Sequence, residues 1–147
     1  MLIDSLKQVL ASSFVFYLKA HNFHWNVEGP DFVEYHKFLD DLQSEVFDNA
    51  IDRSAEFVRV LDGYAPGSLT RFLELSVIQD QVKIPRAELM MVELYEDNAK
   101  IIELLKATFS VAEQENEQGI ANFIAERIDA HGKHGWMLRS ILKKTRA

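Results

Sequence analysis

Proline and glycine interrupt this chain at only a few places, and that punctuation limits what it can fold into. Gly29-Pro30 breaks the first segment, "DGYAPGS" (62–68) ends the second, Pro85 opens the third, and the polar run "EQENEQG" (113–119) makes a softer fourth break. Between them lie four long segments, roughly 3–27, 31–61, 86–112 and 118–143. In each, apolar residues recur at spacings of three and four, the period of an amphipathic helix. They are Leu6, Val9, Leu10, Phe14, Tyr17 and Leu18 in the first, and Phe32, Tyr35, Leu39, Leu42 and Val46 in the second. The third carries Leu89, Val92, Tyr95, Ile102 and Leu105, and the fourth Ile120, Phe123, Ile124, Ile128, Trp136, Leu138 and Leu142. Met90, Met91 and Met137 read as core. Asp31 with Glu34 three residues later has the pattern of a capping box, and Pro85 suits a first-turn position. The apolar insert "LTRFLELSV" (69–77) predicts a short extra helix in the long connection between helices two and three. No repeat and no strand-like alternation is present. The fold class is therefore all-α: residues 1–147 form one domain, a four-helix bundle with one crossover.

Size and charge narrow the function. A chain of 147 residues, 48% hydrophobic and 27% charged, can bury one core. Its apolar runs are broken by charges before the ~20 residues that a membrane span needs. The start, "MLIDSLKQVL", lacks the basic region of a signal peptide, so the expected location is cytoplasmic. Without cysteine there are no disulfides and no thiolate metal sites. A net charge of −7 argues against a surface that grips nucleic acid and for one that attracts cations. Lys143, Lys144 and Arg146 make the only basic cluster, and a solvated helix end accounts for it.

The residues that carry chemistry gather around the first break, in "HNFHWNVEGPDFVEYHKFLD" (21–40). Bundles that hold a metal pair inside one chain carry Glu-x-x-His on two helices, and here no Glu lies three residues before any histidine. Helix two instead has His36/Asp40 and Asp52/Glu56, two polar pairs at one-turn spacing. Asp40 and Asp52 stand about 18 Å apart along the axis, too far for one centre within one chain. The pairs are placed symmetrically about Val46. A second copy packed antiparallel across a two-fold axis there sets His36 and Asp40 level with the partner's Glu56 and the partner's Asp52, giving two identical sites per dimer. His24, held beside the start of helix two by the Gly-Pro turn, adds a further nitrogen. Imidazole with carboxylates suits iron, zinc or manganese. The plainer reading makes all of these surface residues of a charged helix.

At these residues the chain resembles the Dps family (DNA-binding proteins from starved cells), dodecameric mini-ferritins of the ferritin-like superfamily. "HWNVEGPDFVEYHKFLDDL" is similar to the family's ferroxidase signature, "AERIDAHGKHGWMLRSIL" to its last helix, and "LTRFLELSVI" to its short connecting helix. The resemblance implies metal ligands His24, His36 and Asp40 from one subunit, with Asp52 and Glu56 from the other. It implies Fe(II) oxidation with peroxide and ferric mineral stored in a hollow shell; the donor set also admits zinc or manganese as competitors for the site. Trp25 is read as packed near the site, either as core or, as in the family, as an interceptor of oxidising equivalents. In the family, pores near the start of the last helix are often acidic; Asn122 stands where an aspartate is common, leaving Glu113, Glu115, Glu117 and Glu126 as pore candidates. With almost no N-terminal extension and a −7 charge, DNA binding is expected to be weak or absent. His21 is read as facing solvent, with a supporting role near the site as the alternative; His131 and His134 are read as satisfied helix residues.

One departure matters. In the family the second aspartate generally falls eleven positions after the first, whereas Asp40 and Asp52 are twelve apart. Eleven residues return to within about 20° of the starting face of a helix, and twelve overshoot by about 120°. At the family's register stand Ile51 and Ala55, which cannot hold metal. Either a one-residue π-bulge between about 46 and 52 restores Asp52 and Glu56, the favoured expectation, or the shell has an altered site that does not oxidise iron.

Overall fold

The computed structural model describes residues 1–143; Lys144 and Arg146 of the basic cluster lie outside the described residues. The elements run α1 (Leu2–Asn26), α2 (Phe32–Val46), a π turn (Phe47–Ile51), α3 (Asp52–Val60), α4 (Leu69–Leu75), α5 (Ala87–Gln114) and α6 (Gln118–Leu142). Backbone angles stay helical from Val46 through Asp52, so α2, the π turn and α3 form one continuous rod. Four long rods make the bundle. α1 packs on α2 and α5, α5 packs on α6, and α4 lies across α1 in the connection between rods two and three. No described helix is long and apolar enough to cross a membrane.

The bundle core takes Leu6, Val9, Phe16 and Phe23 from α1, Leu39, Leu42 and Val46 from α2, Met90, Met91, Leu94 and Ile101 from α5, and Phe123, Ile124 and Leu138 from α6. Several stripe residues sit elsewhere. α1 has two apolar faces, and the expected stripe mixed them: Phe14 stacks on Phe72 of α4 at 4.7 Å between ring centroids, Tyr17 packs on Phe47 of the π turn at 4.9 Å, and Leu18 is exposed. Phe32, Leu89 and Trp136 are exposed as well, because each lies at the rim of its helix's buried face. Met137 is only half-buried.

Helix ends follow local chemistry that the pattern only partly exposes. Gly29 adopts φ of 120°, open to glycine and strained for other residues, and this lets the chain reverse between α1 and α2. Asp31 occupies the N-cap of α2 but makes no side-chain cap bond, so the expected capping box is absent. Pro85 stands one residue before the N-cap, Arg86, rather than in the first turn of α5. Ser68 caps α4 by accepting from the Arg71 amide at 3.2 Å. The soft break after α5 is a Schellman motif: Asn116 is left-handed at φ 59°, and the Glu117 amide reaches back to the Ala112 carbonyl at 2.9 Å.

Buried charges fasten the rods together. Glu45 of α2 accepts two bonds from Arg127 of α6, at 2.6 and 3.0 Å, and pairs with His134 Nε2 at 2.6 Å. His131 donates from Nδ1 to Asn98 of α5 at 2.8 Å, while its Nε2 faces Arg127 at 3.3 Å. The two α6 histidines are thus satisfied helix residues, as expected. Lys19 of α1 binds Asp97 of α5 at 2.6 Å and approaches Glu93 at 3.7 Å.

These partners tie stability to pH. Burial, with Arg127 and His134 adding to it, holds the His131 imidazole well below its usual range. The unfolded chain therefore binds a proton that the folded chain refuses, and stability falls as pH drops below about 6.5. Glu45 resists burial through the bonds from His134 and Arg127, which hold its carboxyl well below normal, so a second loss sets in as pH falls below about 4.5. Asp97 works in the opposite sense, since burial raises it despite Lys19. Urea melts across pH should show His131→Asn flattening the first decline. At pH 7, Glu45→Ala should cost roughly 3 kcal/mol, because it strands Arg127 and His134; a loss under about 1 kcal/mol would show the network to be dispensable.

Candidate metal centre

The chain reversal at Gly29-Pro30 lays the end of α1 against the start of α2 and brings His24 and His36 face to face. Their rings stack at 3.9 Å between centroids and 15° between planes. His24 Nδ1 donates to the His36 carbonyl at 2.7 Å, and His36 Nδ1 donates to the His24 carbonyl at 2.8 Å. This reciprocal pair fixes both tautomers: with the proton on Nδ1, each Nε2 keeps a lone pair, the form in which imidazole binds metal. Phe32 covers the outer face of His36 at 4.9 Å.

Asp40 lies one turn along α2 and is exposed. The Gln43 side-chain amide donates to it at 2.9 Å, and this bond, helped by His24, His21 and His36, holds its carboxyl below the usual carboxylate range. Asp40 is thus charged and oriented, ready for a cation. Gln43 had no role in the sequence reading; its spacing three residues after Asp40 is the signal that identifies it.

The π turn accounts for the extra residue. Twelve α-helical residues would rotate a side chain about 120° off its face, and one π turn takes up the surplus. The core records the same correction. Val46, Ala50, Ser54 and Val58 are all buried at steps of four, whereas Phe57 and Leu61, which an unbroken stripe would bury, are only half-buried. Asp52 and Glu56 therefore lie on α3 in the register of an eleven-residue spacing. Both are exposed. Asp52 is within hydrogen-bonding reach of Glu56, and its charge pushes the Glu56 carboxyl above its ordinary range. Two carboxylates that compete for one proton make a surface on which a cation relieves repulsion.

Within one chain these donors remain in two patches. Among the described residues, no three His, Asp or Glu side chains close around a point able to hold a metal ion. His24 and His36 touch, Asp40 sits beside them electrostatically, and Asp52 with Glu56 stands on α3, beyond the π turn.

Two aromatic expectations need correction. Trp25 is 58% exposed, so it is not core; it lies on the His21 ring at 4.2 Å. His21 is half-buried rather than facing solvent, since its Nδ1 meets the Tyr17 hydroxyl at 3.1 Å. Burial, with the neighbouring His24, lowers its pKa, and Asp40 opposes this.

A ferritin-like domain family matches residues 3–147. A DNA protection during starvation protein of Brevibacillus brevis is 30% identical over 94% of this chain and 92% of its own. An uncharacterized low temperature-induced protein of a Nostoc species is 33% identical over 96% of this chain and 79% of its own. The crystal structure of Dps from Staphylococcus aureus superposes with a TM-score of 0.93 at 30% identity, covering 98% of this chain and 96% of that one. The chain belongs to the Dps family. It is a mini-ferritin with the all-α ferritin-like fold and the additional short helix α4, and it stands within an iron-storage class of proteins.

In this chain the π turn takes up one residue between α2 and α3 while both keep a buried face. Deleting the exposed Asn49 should convert the rod to unbroken α-helix with Val58 still buried. A circular-dichroism melt should place that variant within about 1 kcal/mol of the parent. Deleting Asp41 should instead turn Leu42, Glu45 and Val46 by about 100° away from their buried partners, even where loss of the π turn keeps α3 in register, and destabilise the rod. Equal damage from both deletions would show that the π turn does not set the register.

Proposed function

We propose that this Dps protein oxidises Fe(II) with hydrogen peroxide at sites shared by two subunits and stores the ferric product inside a hollow homo-oligomeric shell. The observation that carries this reading is the tautomer-locked His24/His36 pair beside Asp40, matched on the same rod by Asp52 and Glu56 in the register that the π turn supplies. A two-fold axis near Val46 brings each half-site to the other. His24, His36 and Asp40 of one subunit and the carboxylates of the other then give a mixed nitrogen and oxygen donor set, which suits Fe(II) and also admits zinc or manganese.

Iron is the substrate here, and the residues have separate tasks. The imidazoles capture Fe(II) through Nε2. The carboxylates, hard donors, favour Fe(III) and so pull the oxidation forward. Two Fe(II) ions each give one electron to a peroxide; its O–O bond breaks, and two hydroxides form in place of a hydroxyl radical. Ferric ions then leave for acidic nucleation positions as the site exchanges them. Twelve subunits are the family's arrangement and are proposed for this chain on that ground. A cytoplasmic location is proposed on the same basis.

The test is to add Fe(II) anaerobically, then peroxide, and to follow ferric absorbance for the parent and an Asp52→Ala, Glu56→Ala double variant. The parent should oxidise iron at least ten times faster. Equal slow rates in both would remove the shared site from consideration.

Charge directs the expectation for DNA. A shell of chains that each carry −7 repels phosphate, and Lys143 ends α6 as a lone described member of the basic cluster. Gel shifts at neutral pH and physiological salt should show little binding. Tight binding that disappears when residues 143–147 are removed would reverse this expectation.

A further inference from the structure

We propose that Tyr17 and His21 act together as a proton-coupled electron donor, which returns an electron to Trp25 after a one-electron oxidant has removed one. Neither Tyr17 nor His21 has a task in the shared site above, and iron need not be the source of the oxidant.

Tyr17, His21 and Trp25 are spaced by four along α1, so they form a row on one face of the helix. Contacts close that row. Trp25 lies on the His21 ring at 4.2 Å between centroids and 32° between planes. His21 stands 5.5 Å from the Tyr17 ring, and its Nδ1 meets the Tyr17 hydroxyl at 3.1 Å. One imidazole therefore bridges an indole and a phenol. Among the described residues no other tyrosine hydroxyl meets a histidine nitrogen, and Trp136, 55% exposed, lies on no other ring.

Environment sets the direction. Trp25 is 58% exposed, so an oxidant reaches its indole first. Tyr17 is half-buried, with Phe14 at 5.6 Å and Phe47 at 4.9 Å. Phenylalanine rings give up electrons far less readily than a phenol, so the vacancy stops at Tyr17. A phenol is a poor donor while it keeps its proton, because its radical cation is a very strong acid. A hydrogen-bonded base removes that obstacle by taking the proton as the electron leaves.

A hydroxyl radical, or another one-electron oxidant, takes an electron from Trp25 and leaves the indole radical cation; the hydroxyl radical itself becomes hydroxide. Tyr17 then gives one electron to that cation across His21, and its hydroxyl proton crosses the 3.1 Å hydrogen bond to His21 Nδ1. Trp25 is restored, and an imidazolium and a neutral tyrosyl radical remain. A thiolate in solution returns the electron, and the imidazolium returns the proton. The transfer needs the tautomer in which Tyr17 O–H donates to Nδ1 and the imidazole keeps its own proton on Nε2.

The test replaces iron with light. Iron-free assembled protein in a Trp136→Phe background is flashed at neutral pH with tris(bipyridyl)ruthenium and persulfate, and indolyl and tyrosyl radicals are followed by transient absorption and electron paramagnetic resonance. Each variant is checked for helix content and assembly size. In the background protein a tyrosyl signal should rise as the indolyl signal decays, and more slowly in heavy water. Tyr17→Phe should lose that rise and prolong the indolyl signal, and Trp25→Phe should lose both. His21→Phe keeps a ring but removes the base, and should slow the rise about 100-fold. No tyrosyl rise in the background protein, a rise unchanged by Tyr17→Phe, or a rate unchanged by His21→Phe would each overturn the proposal. Because no iron is present, none of these outcomes bears on the shared site, which the peroxide assay above decides.

Discussion

The second rod has to meet two requirements with one surplus residue, and the π turn at Phe47–Ile51 is where it meets both. A helix that buries Leu39, Leu42 and Val46 must still bury Ser54 and Val58 after twelve further residues, and α-helical geometry alone would carry Val58 about 120° away. The π turn also sets Asp52 and Glu56 in register with Asp40. Core packing and carboxylate placement therefore share one local device. Phe47, in the first position of that turn, also packs on Tyr17 and so steadies the ring that holds His21.

The bundle interior leaves no place for the proposed metal chemistry except the surface. Its centre is filled by Arg127, bound to Glu45 and facing His131, with His134 on the other Glu45 oxygen. A guanidinium supplies the positive charge that a cation would otherwise bring, and it occupies the donors. The candidate donors of the proposed site are those at the chain reversal and on α3, and among the described residues neither set encloses an ion by itself. Burying the internal network stiffens the relation between α2, α5 and α6, so the exposed half-sites are mounted on a rigid frame.

Much of this was legible in the residues. Gly29-Pro30, the "DGYAPGS" turn and three-four periodicity set the four rods, and the twelve-residue interval between Asp40 and Asp52, set against the eleven that the family resemblance implies, pointed to a bulge between Val46 and Asp52. The metal-ligand roles of His24, His36, Asp40, Asp52 and Glu56 remain the proposal that the geometry supports. What the sequence hid was hidden for physical reasons. Periodicity marks apolar faces but does not say which face meets which neighbour, so the stripe did not show that Phe14 packs on α4 or that Tyr17 packs on the π turn. Contacts between residues distant in sequence, such as Glu45 with Arg127 or Lys19 with Asp97, leave no local spacing to read. The mutual carbonyl bonds of His24 and His36 depend on the register of the chain reversal, which no pairwise spacing specifies.

The proposed shared site links assembly and metal binding through the exposed carboxylates. In the isolated chain Asp52 and Glu56 repel, and Glu56 relieves the strain by holding its proton more tightly. Facing a partner's imidazoles and a divalent cation, the same pair gains by being fully charged, because the cation replaces the shared proton. A cation that binds the dimer and not the separated chains favours association by mass action, and association in turn raises affinity for the cation. In the proposed shared site, that reciprocity gives a half-site on an exposed helix a purpose that it lacks in a monomer: metal would be gripped only where two chains have met, and iron would be oxidised beside the shell that is to receive it.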